Sequence, residues 1–146
     1  MEAGTTNPIK VLFLCVANSA RSQMAEGLLR HLGEGRFEAY SAGIEPSGIH
    51  PLAIEVMREI GIDISDQSSK PVSQFLGRLH FGYIITLCRW DEERCPTSFP
   101  DVSHRLHWEL PDPAAAPEEQ RLRSFREVRD RLKELVEELV AQEIRK

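Results

Sequence analysis

Hydrophobic and polar positions along the chain follow two alternating patterns, one typical of buried strands and one typical of amphipathic helices. Short, nearly continuous apolar runs predict strands at residues 9–15, 37–42, 81–88 and 104–108. Apolar residues at three- and four-residue spacing predict helices from Ser22 to Gly33 and from Pro51 to Ile60, and a short helix is predicted between 71 and 76. The clearest stripe predicts a final helix and consists of Leu122, Phe125, Val128, Leu132, Leu135, Val136, Leu139 and Val140.

The order of these elements predicts an α/β fold. Strand, helix, strand and helix follow one another at the start of the chain, which indicates a small parallel sheet with helices on both faces, a three-layer sandwich. A length of 146 residues, of which 41% are hydrophobic, suits one domain spanning residues 1–146.

Composition and charge exclude several classes of function. With 23 acidic and 18 basic residues the net charge is −5, which disfavours nucleic acid and anionic membranes as partners. We find no export signal and no apolar run long enough to span a membrane, so we expect a cytoplasmic protein. Three cysteines without paired spacing favour neither a disulfide framework nor a metal site.

A candidate catalytic loop joins the first strand to the first helix. The segment CVANSARS begins with Cys15 and ends with Arg21 and Ser22. Its backbone N–H groups and the helix N-terminus can surround an oxyanion, and the same field favours a Cys15 thiolate that Ser22 can hydrogen-bond. Arg21 offers a planar fork that matches two oxygens of a tetrahedral anion. The predicted oxyanion-binding residues are Val16, Ala17, Asn18, Ser19, Ala20, Arg21 and Ser22.

The spacing of cysteine and arginine alone is weak evidence, since a match somewhere in such a chain has a chance of roughly 0.3. Its position between a strand end and a helix start makes it specific. The alternative interpretation is a buried cysteine that ends a strand and a surface arginine on the first helical turn.

Cys88 and Cys95 form a second candidate feature. Cys88 ends the third strand, so in a parallel sheet it lies on the same rim as Cys15. If residues 89–94 form a helix, its ends lie about 10 Å apart, whereas disulfide-bonded Cα atoms lie within about 7 Å. A Cys88–Cys95 bond therefore requires this segment to rearrange, and two unrelated cysteines remain the alternative.

Asp112 follows the fourth strand between two prolines, where its loop can overhang the same rim. A carboxylic acid beside a bound oxyanion can protonate a leaving oxygen, although an ordinary turn or helix cap explains the residue equally well. The basic residues beside the final apolar stripe are interpreted as a solvated helix face rather than an anion site: Arg121, Arg123, Arg126, Arg129 and Arg131.

Taken together, these residues resemble the thioredoxin-coupled arsenate reductases, which share the fold of low-molecular-weight protein tyrosine phosphatases. The resemblance rests on the segments CVANSARSQMAEG, YSAGIEPSG, GIDIS, TLC with a second cysteine seven residues later, HW and DPA, in this order from Ile9 to about Ala115. It implies a four-stranded parallel sheet and the reduction of arsenate to arsenite.

By this resemblance, Cys15 attacks arsenate held by the loop and Arg21, while Asp112 protonates the departing oxygen. Cys88 then attacks Cys15 and releases arsenite, and Cys95 attacks Cys88, leaving a disulfide that thioredoxin reduces. The resemblance implies no bound metal or organic cofactor, phosphate as a competing anion and a role in arsenic detoxification, and we expect a monomer.

Three positions depart from the family pattern. Ala17 stands where the family usually has glycine, and Ala20 where it often has another cysteine. Some members bind potassium at positions matching Asn18, Glu26, Ser41 and Ser68, but Lys70 stands where they carry an acidic residue. We therefore hypothesise that the Lys70 ammonium takes the place of the ion.

Two other functions compete with arsenate reduction. A tyrosine phosphatase would use Cys15, Arg21 and Asp112, but needs one cysteine rather than three. Such phosphatases also typically carry aromatic residues after Asp-Pro, whereas Ala114 and Ala115 stand here; we expect weak phosphatase activity as a by-product. A non-catalytic oxyanion-binding or thiol-sensing protein is the third interpretation, and it predicts no turnover with any reductant.

Overall fold

A four-stranded parallel sheet forms the centre of the structure, a computed structural model that describes residues 7–75, 77–88 and 102–145. The strands are β1 (Ile9–Cys15), β2 (Phe37–Gly43), β3 (Phe81–Thr86) and β4 (Val102–His107), in the spatial order β2-β1-β3-β4. The predicted α/β class is confirmed. Because β1 lies between β2 and β3, the loop that follows β1 has a neighbouring strand end on either side.

The two faces of the sheet carry separate apolar clusters, as the period-two geometry of a strand requires. Val11 and Phe13 face a cluster that includes residues of all three α-helices, α1 (Arg21–Leu32), α2 (Pro51–Glu59) and α3 (Glu118–Arg145). Leu12 and Leu14 face the other side. There the described covering residues include Val72, Phe75 and Leu79, and Val72 begins a 3₁₀ helix at Val72–Gln74.

The predicted elements are found, with differences at their ends. β1 matches its prediction, and the final helix extends four residues earlier and five residues later than its apolar stripe, because polar residues continue a helix beyond its packed face. Among the described residues of the predicted segment 71–76, only Val72–Gln74 is helical, and β4 begins before His104 and ends before Trp108. No helix in the described part of the chain is long and apolar enough to span a membrane.

The third strand ends two residues earlier than predicted. Its last paired residue is Thr86, yet Leu87 and Cys88 are fully buried. Apolar residues indicate burial but not strand pairing, so the apolar run extends two residues beyond the end of the strand. Leu87 N–H still donates to the Leu14 carbonyl at 2.9 Å, which places Cys88 directly beyond the end of β1.

Arg129 corrects the prediction of a solvated arginine face. It is only 9% exposed, and its Nη1 donates to the Val56 carbonyl at 2.9 Å and to Glu59 Oε1 at 2.7 Å. Val56 lies in the last turn of α2, where carbonyl groups lack helical partners, so the guanidinium caps this helix from α3. Arg126, by contrast, pairs with Glu59 at the surface.

We expect Arg129→Ala to destabilise the fold by about 2 kcal/mol, because it leaves the Val56 carbonyl without its donor. The matched variant Arg126→Ala removes an exposed ion pair and should cost less than about 1 kcal/mol. Urea-induced unfolding of both variants measures the difference. Equal losses would show that Arg129 acts only as a surface charge.

Candidate functional site: the loop after the first strand

The loop from Cys15 to Ser22 turns its carbonyl groups outward. Four consecutive carbonyls, those of residues 16–19, accept hydrogen bonds from elsewhere in the chain. The donors are Glu45 N to Val16 O (2.9 Å), Ser47 N to Ala17 O (3.1 Å), Gln23 Nε2 to Asn18 O (3.1 Å), Ser69 Oγ to Asn18 O (3.0 Å) and His50 N to Ser19 O (3.0 Å). In a trans peptide the N–H points opposite to the carbonyl, so the following N–H groups face the inside of the loop.

Gly43, at the end of β2, makes room for this curl. A Cβ atom at this position would lie 2.7 Å from the Val16 carbonyl oxygen and 2.8 Å from the Asn18 nitrogen. Both atoms belong to the backbone, which has no rotamer by which to move away. The sequence pattern ends the predicted second strand at residue 42 and does not predict this contact of Gly43 with the loop.

A chain of hydrogen bonds leads from Cys15 to the supporting segment, residues 67–70, of which Ser69 and Lys70 hydrogen-bond to the loop. Cys15 Sγ lies 2.9 Å from Ser22 Oγ, which accepts from Asn18 Nδ2 at 2.8 Å. Because the asparagine amide donates to this oxygen, the Ser22 proton is available for the sulfur. Asn18 Oδ1 in turn accepts from the Lys70 backbone N–H at 2.8 Å. The arrangement suits a hydroxyl that donates to a thiolate.

The start of α1 completes the anion-binding geometry. Its N-cap is Ala20, which provides no side-chain cap, so N–H groups of the first turn remain available to a ligand. Arg21 is 5% exposed, and its Nη1 donates to the Leu110 carbonyl at 2.9 Å. The loop is thereby joined to the segment that leads to Asp112.

Asp112 and Arg21 line one cavity of about 990 Å³, together with Val16 and Ala17. Asp112 also caps a 3₁₀ helix at Pro113–Ala115, because its Oδ1 accepts from Ala114 N–H at 3.0 Å. The carboxylate of Asp112 therefore caps this turn, as the turn or helix-cap interpretation predicted. It also lines the cavity beside the loop.

His50 is a neighbour of the loop that the sequence analysis did not select. Its Nδ1 accepts from Leu52 N–H at 3.1 Å and caps α2, while its ring packs 4.8 Å from that of Phe125. Burial lowers the pKa of His50, the charge of Arg121 lowers it further and that of Asp112 opposes the shift. The neutral ring is the form that can accept at Nδ1, so the cap is lost as this group is protonated at acidic pH.

The structure describes two of the three cysteines. Cys15 is a free thiol, whereas Cys88 is disulfide-bonded and fully buried. Cys88 follows Leu87, whose N–H is bonded to the residue before Cys15, so Cys88 lies just beyond the end of β3 and Cys15 lies at the end of the adjacent strand β1. Cys95 and the predicted helix at 89–94 lie outside the described residues.

The residues below the loop do not fit a bound potassium ion. Glu26 is 4% exposed and is bonded to Ser41 and Arg30, and the Lys70 Nζ lies 3.9 Å from its Oε1. The same ammonium donates to the Ser68 carbonyl, so a cation already stands among these oxygens. Burial lowers the pKa of Lys70, Glu26 raises it and Arg30 lowers it. Across the described ranges, no group of acidic, histidine and cysteine side chains is arranged to hold a metal ion.

Residues 10–146 match the family model described as low molecular weight phosphotyrosine protein phosphatase. The chain belongs to this family. Within the low molecular weight phosphatase family, it is similar to the glutaredoxin arsenate reductase of Synechocystis, with 42% identity over 136 residues, covering 90% of this chain and 96% of the relative.

Two solved structures of arsenate reductases are similar to this family member. One, an arsenate reductase in the phosphate-binding state, has a TM-score of 0.78 and 41% identity, and covers 92% of this chain and 98% of that chain. The other, a thioredoxin-dependent arsenate reductase of Corynebacterium glutamicum, has a TM-score of 0.66 and 32% identity, and covers 95% of this chain and 65% of that chain. The predicted resemblance to arsenate reductases with a low-molecular-weight phosphatase fold is confirmed.

We expect Gly43→Ala to weaken the binding of inorganic phosphate by about tenfold or more, because the new Cβ pushes on the loop backbone. Gly33→Ala is the control, since its Cβ would meet the Phe37 side chain 2.7 Å away, at the other end of α1. Isothermal titration calorimetry with phosphate measures both. An unchanged affinity in Gly43→Ala would mean that the loop does not need this close approach.

Proposed function

We propose that this protein is an arsenate reductase that uses Cys15 as its nucleophile and passes the resulting disulfide through Cys88 and Cys95. The observation that carries the proposal is the position of Cys88, which follows β3 by two residues, while Cys15 is the last residue of the neighbouring strand β1. Hydrolysis needs no second thiol there, whereas reduction does. The names of the similar proteins support the same reaction.

In the first step, the Cys15 thiolate attacks arsenic(V) held by the inward N–H groups and Arg21. A sulfur–arsenic bond forms and one oxygen leaves as water, with Asp112 as the proton donor. The hydrogen bond from Ser22 stabilises the thiolate before attack. The proposed oxyanion-binding residues, 16–22, surround the position that the tetrahedral anion would take.

In the second step, the Cys88 thiolate of the reduced protein attacks Cys15 Sγ. A disulfide between Cys15 and Cys88 forms as the sulfur–arsenic bond breaks; the electron pair of that bond stays on arsenic, and arsenite departs as arsenic(III). Cys95 then attacks Cys88, which frees Cys15 and leaves a disulfide between Cys88 and Cys95. A dithiol donor reduces that bond, so one arsenate consumes two electrons per cycle.

Thioredoxin is the donor that we propose, because a three-cysteine relay delivers a protein disulfide for reduction. One similar structure is named thioredoxin-dependent and one relative is named for glutaredoxin. Both donors act by thiol–disulfide exchange. The assay below therefore starts with thioredoxin and repeats with glutaredoxin.

A phosphatase activity is the second candidate, and the cavity beside the loop favours it. Its volume of about 990 Å³ far exceeds the space that an inorganic oxyanion needs, so an ester's organic group fits between the loop and α3. Small residues border the cavity after Asp112, which leaves an aromatic leaving group without a stacking partner. We propose this activity as a weak side reaction.

The test of the main proposal follows NADPH oxidation with thioredoxin and thioredoxin reductase, with and without arsenate. We expect arsenate-dependent turnover in the wild type and none in Cys15→Ser, Cys88→Ser or Cys95→Ser, because each removes one step of the relay. Hydrolysis of an aryl phosphate by the same four proteins is the matched control.

Loss of hydrolysis only in Cys15→Ser would agree with a relay added to a phosphatase-like site. If arsenate gives no turnover with either donor, while wild type and Cys95→Ser hydrolyse the ester equally, the relay is wrong and the phosphatase function replaces it.

The Lys70 ammonium gives a further prediction, on ion dependence. Because Lys70 already neutralises Glu26, arsenate turnover should be equal in KCl and NaCl at matched ionic strength. Lys70→Asp should lower turnover in NaCl and recover it in KCl, since a carboxylate at this position leaves room and charge for the ion. A several-fold rise of wild-type turnover in KCl but not in NaCl would refute the substitution.

A further inference from the structure

The backbone conformation of the loop is unusual at Asn18, directly before the peptide that joins it to Ser19. Asn18 has a φ of +48°, in the left-handed region, and is the non-glycine residue with positive φ in the described ranges. At such a turn the orientation of the peptide plane decides whether the Ser19 N–H faces the anion or the Asn18 carbonyl does. Whatever holds that carbonyl outward also fixes the donor that the anion meets.

Two side chains donate to the Asn18 carbonyl, and they are not equivalent. Ser69 Oγ lies 3.0 Å from it but also 3.2 Å from the Ala17 carbonyl, and one hydroxyl has a single proton to share between them. Gln23 Nε2, at 3.1 Å, has two protons and uses them on Asn18 O and on Ser68 O at 2.9 Å. Gln23 is therefore the dependable donor, and it is fully buried.

A second glutamine sets the orientation of the first. Gln67 Nε2 donates to Gln23 Oε1 at 2.8 Å and to the Gln23 carbonyl at 3.0 Å. A glutamine amide is almost symmetric in shape, so it can turn over and place oxygen where nitrogen was. The donor from Gln67 keeps the Gln23 oxygen on the far side, so its nitrogen faces the loop.

We infer that Gln67 and Gln23 form an amide relay that positions the oxyanion loop by holding the Asn18 carbonyl outward. Both are positioning residues, since they act on the anion only through the backbone of the loop. The inference rests on the proposed anion-binding role of the loop, and it does not require that the bound anion be reduced.

A substitution at position 67 can reverse the direction in which the hydrogen bonds of the relay are donated. Gln67→Glu presents only acceptors, so Gln23 must turn its nitrogen toward position 67 and its oxygen toward the Asn18 carbonyl. Gln67→Met removes the donor without adding a charge. Gln67→Lys is the conservative variant, because it restores a donor to Gln23 Oε1 on a side chain that reaches as far.

The experiment measures binding of inorganic phosphate to the intact protein by calorimetry, and the ¹⁵N–¹H shift of the Ser19 amide during the same titration. We expect Gln67→Glu and Gln67→Met to weaken phosphate binding by about tenfold and to lose the Ser19 response. Gln67→Lys should retain both. Thermal unfolding of each variant distinguishes a general loss of stability from a loss of phosphate binding alone.

Wild-type affinity in Gln67→Glu and Gln67→Met would overturn the relay, and so would an equal loss in all three variants, which would indicate packing rather than polarity. A wild type that binds no phosphate would overturn it as well, because the loop would have no anion to position. A wild type that binds phosphate with a Gln67-dependent Ser19 response, yet turns over no arsenate, would support the relay and refute the reductase.

Discussion

The outward orientation of four consecutive carbonyl groups in the loop after β1 is the constraint on which the site depends. Backbone N–H groups converge on an anion only where their carbonyls turn away, and a buried carbonyl without a donor costs about 1–3 kcal/mol. Donors outside the loop bond to these carbonyls: backbone N–H groups at residues 45–50 and side chains at residues 23 and 69. The anion site is therefore a property of several segments packed together.

The strand order gives the two sides of the loop different tasks. On one side, β2 ends in Gly43, whose N–H is bonded to the Lys70 carbonyl, so the supporting segment is joined to the sheet edge beside the loop. On the other side, β3 ends beside Cys88. The end of β2 thus stabilises the shape of the loop after β1, and Cys88, which follows β3, is the second thiol of the proposed relay.

The sequence predicted the features whose residues lie close together along the chain. It missed those that form only when distant segments pack together. Cys15, Arg21 and Ser22 lie within eight residues of one another, so their shared loop is visible from spacing and from the strand and helix around it. Gln23 looks like any polar helix residue until Gln67, 44 positions later, is placed against it. Arg129 likewise has the sequence environment of a surface residue, and only the packing of α3 on the end of α2 buries it.

The pairing of the buried Glu26 supports the proposed anion binding in a chain with a net charge of −5. Glu26 is buried behind the loop, and an unpaired carboxylate there would oppose a bound oxyanion through a medium that screens it poorly. Lys70 and Arg30 pair with it, so the negative charge is compensated where it arises. In the proposed site, the attraction for an anion then comes from the inward N–H groups, the uncapped start of α1 and Arg21. A net charge of −5 is therefore compatible with the proposed anion binding, because the field at the loop is set mainly by groups within a few ångströms of it.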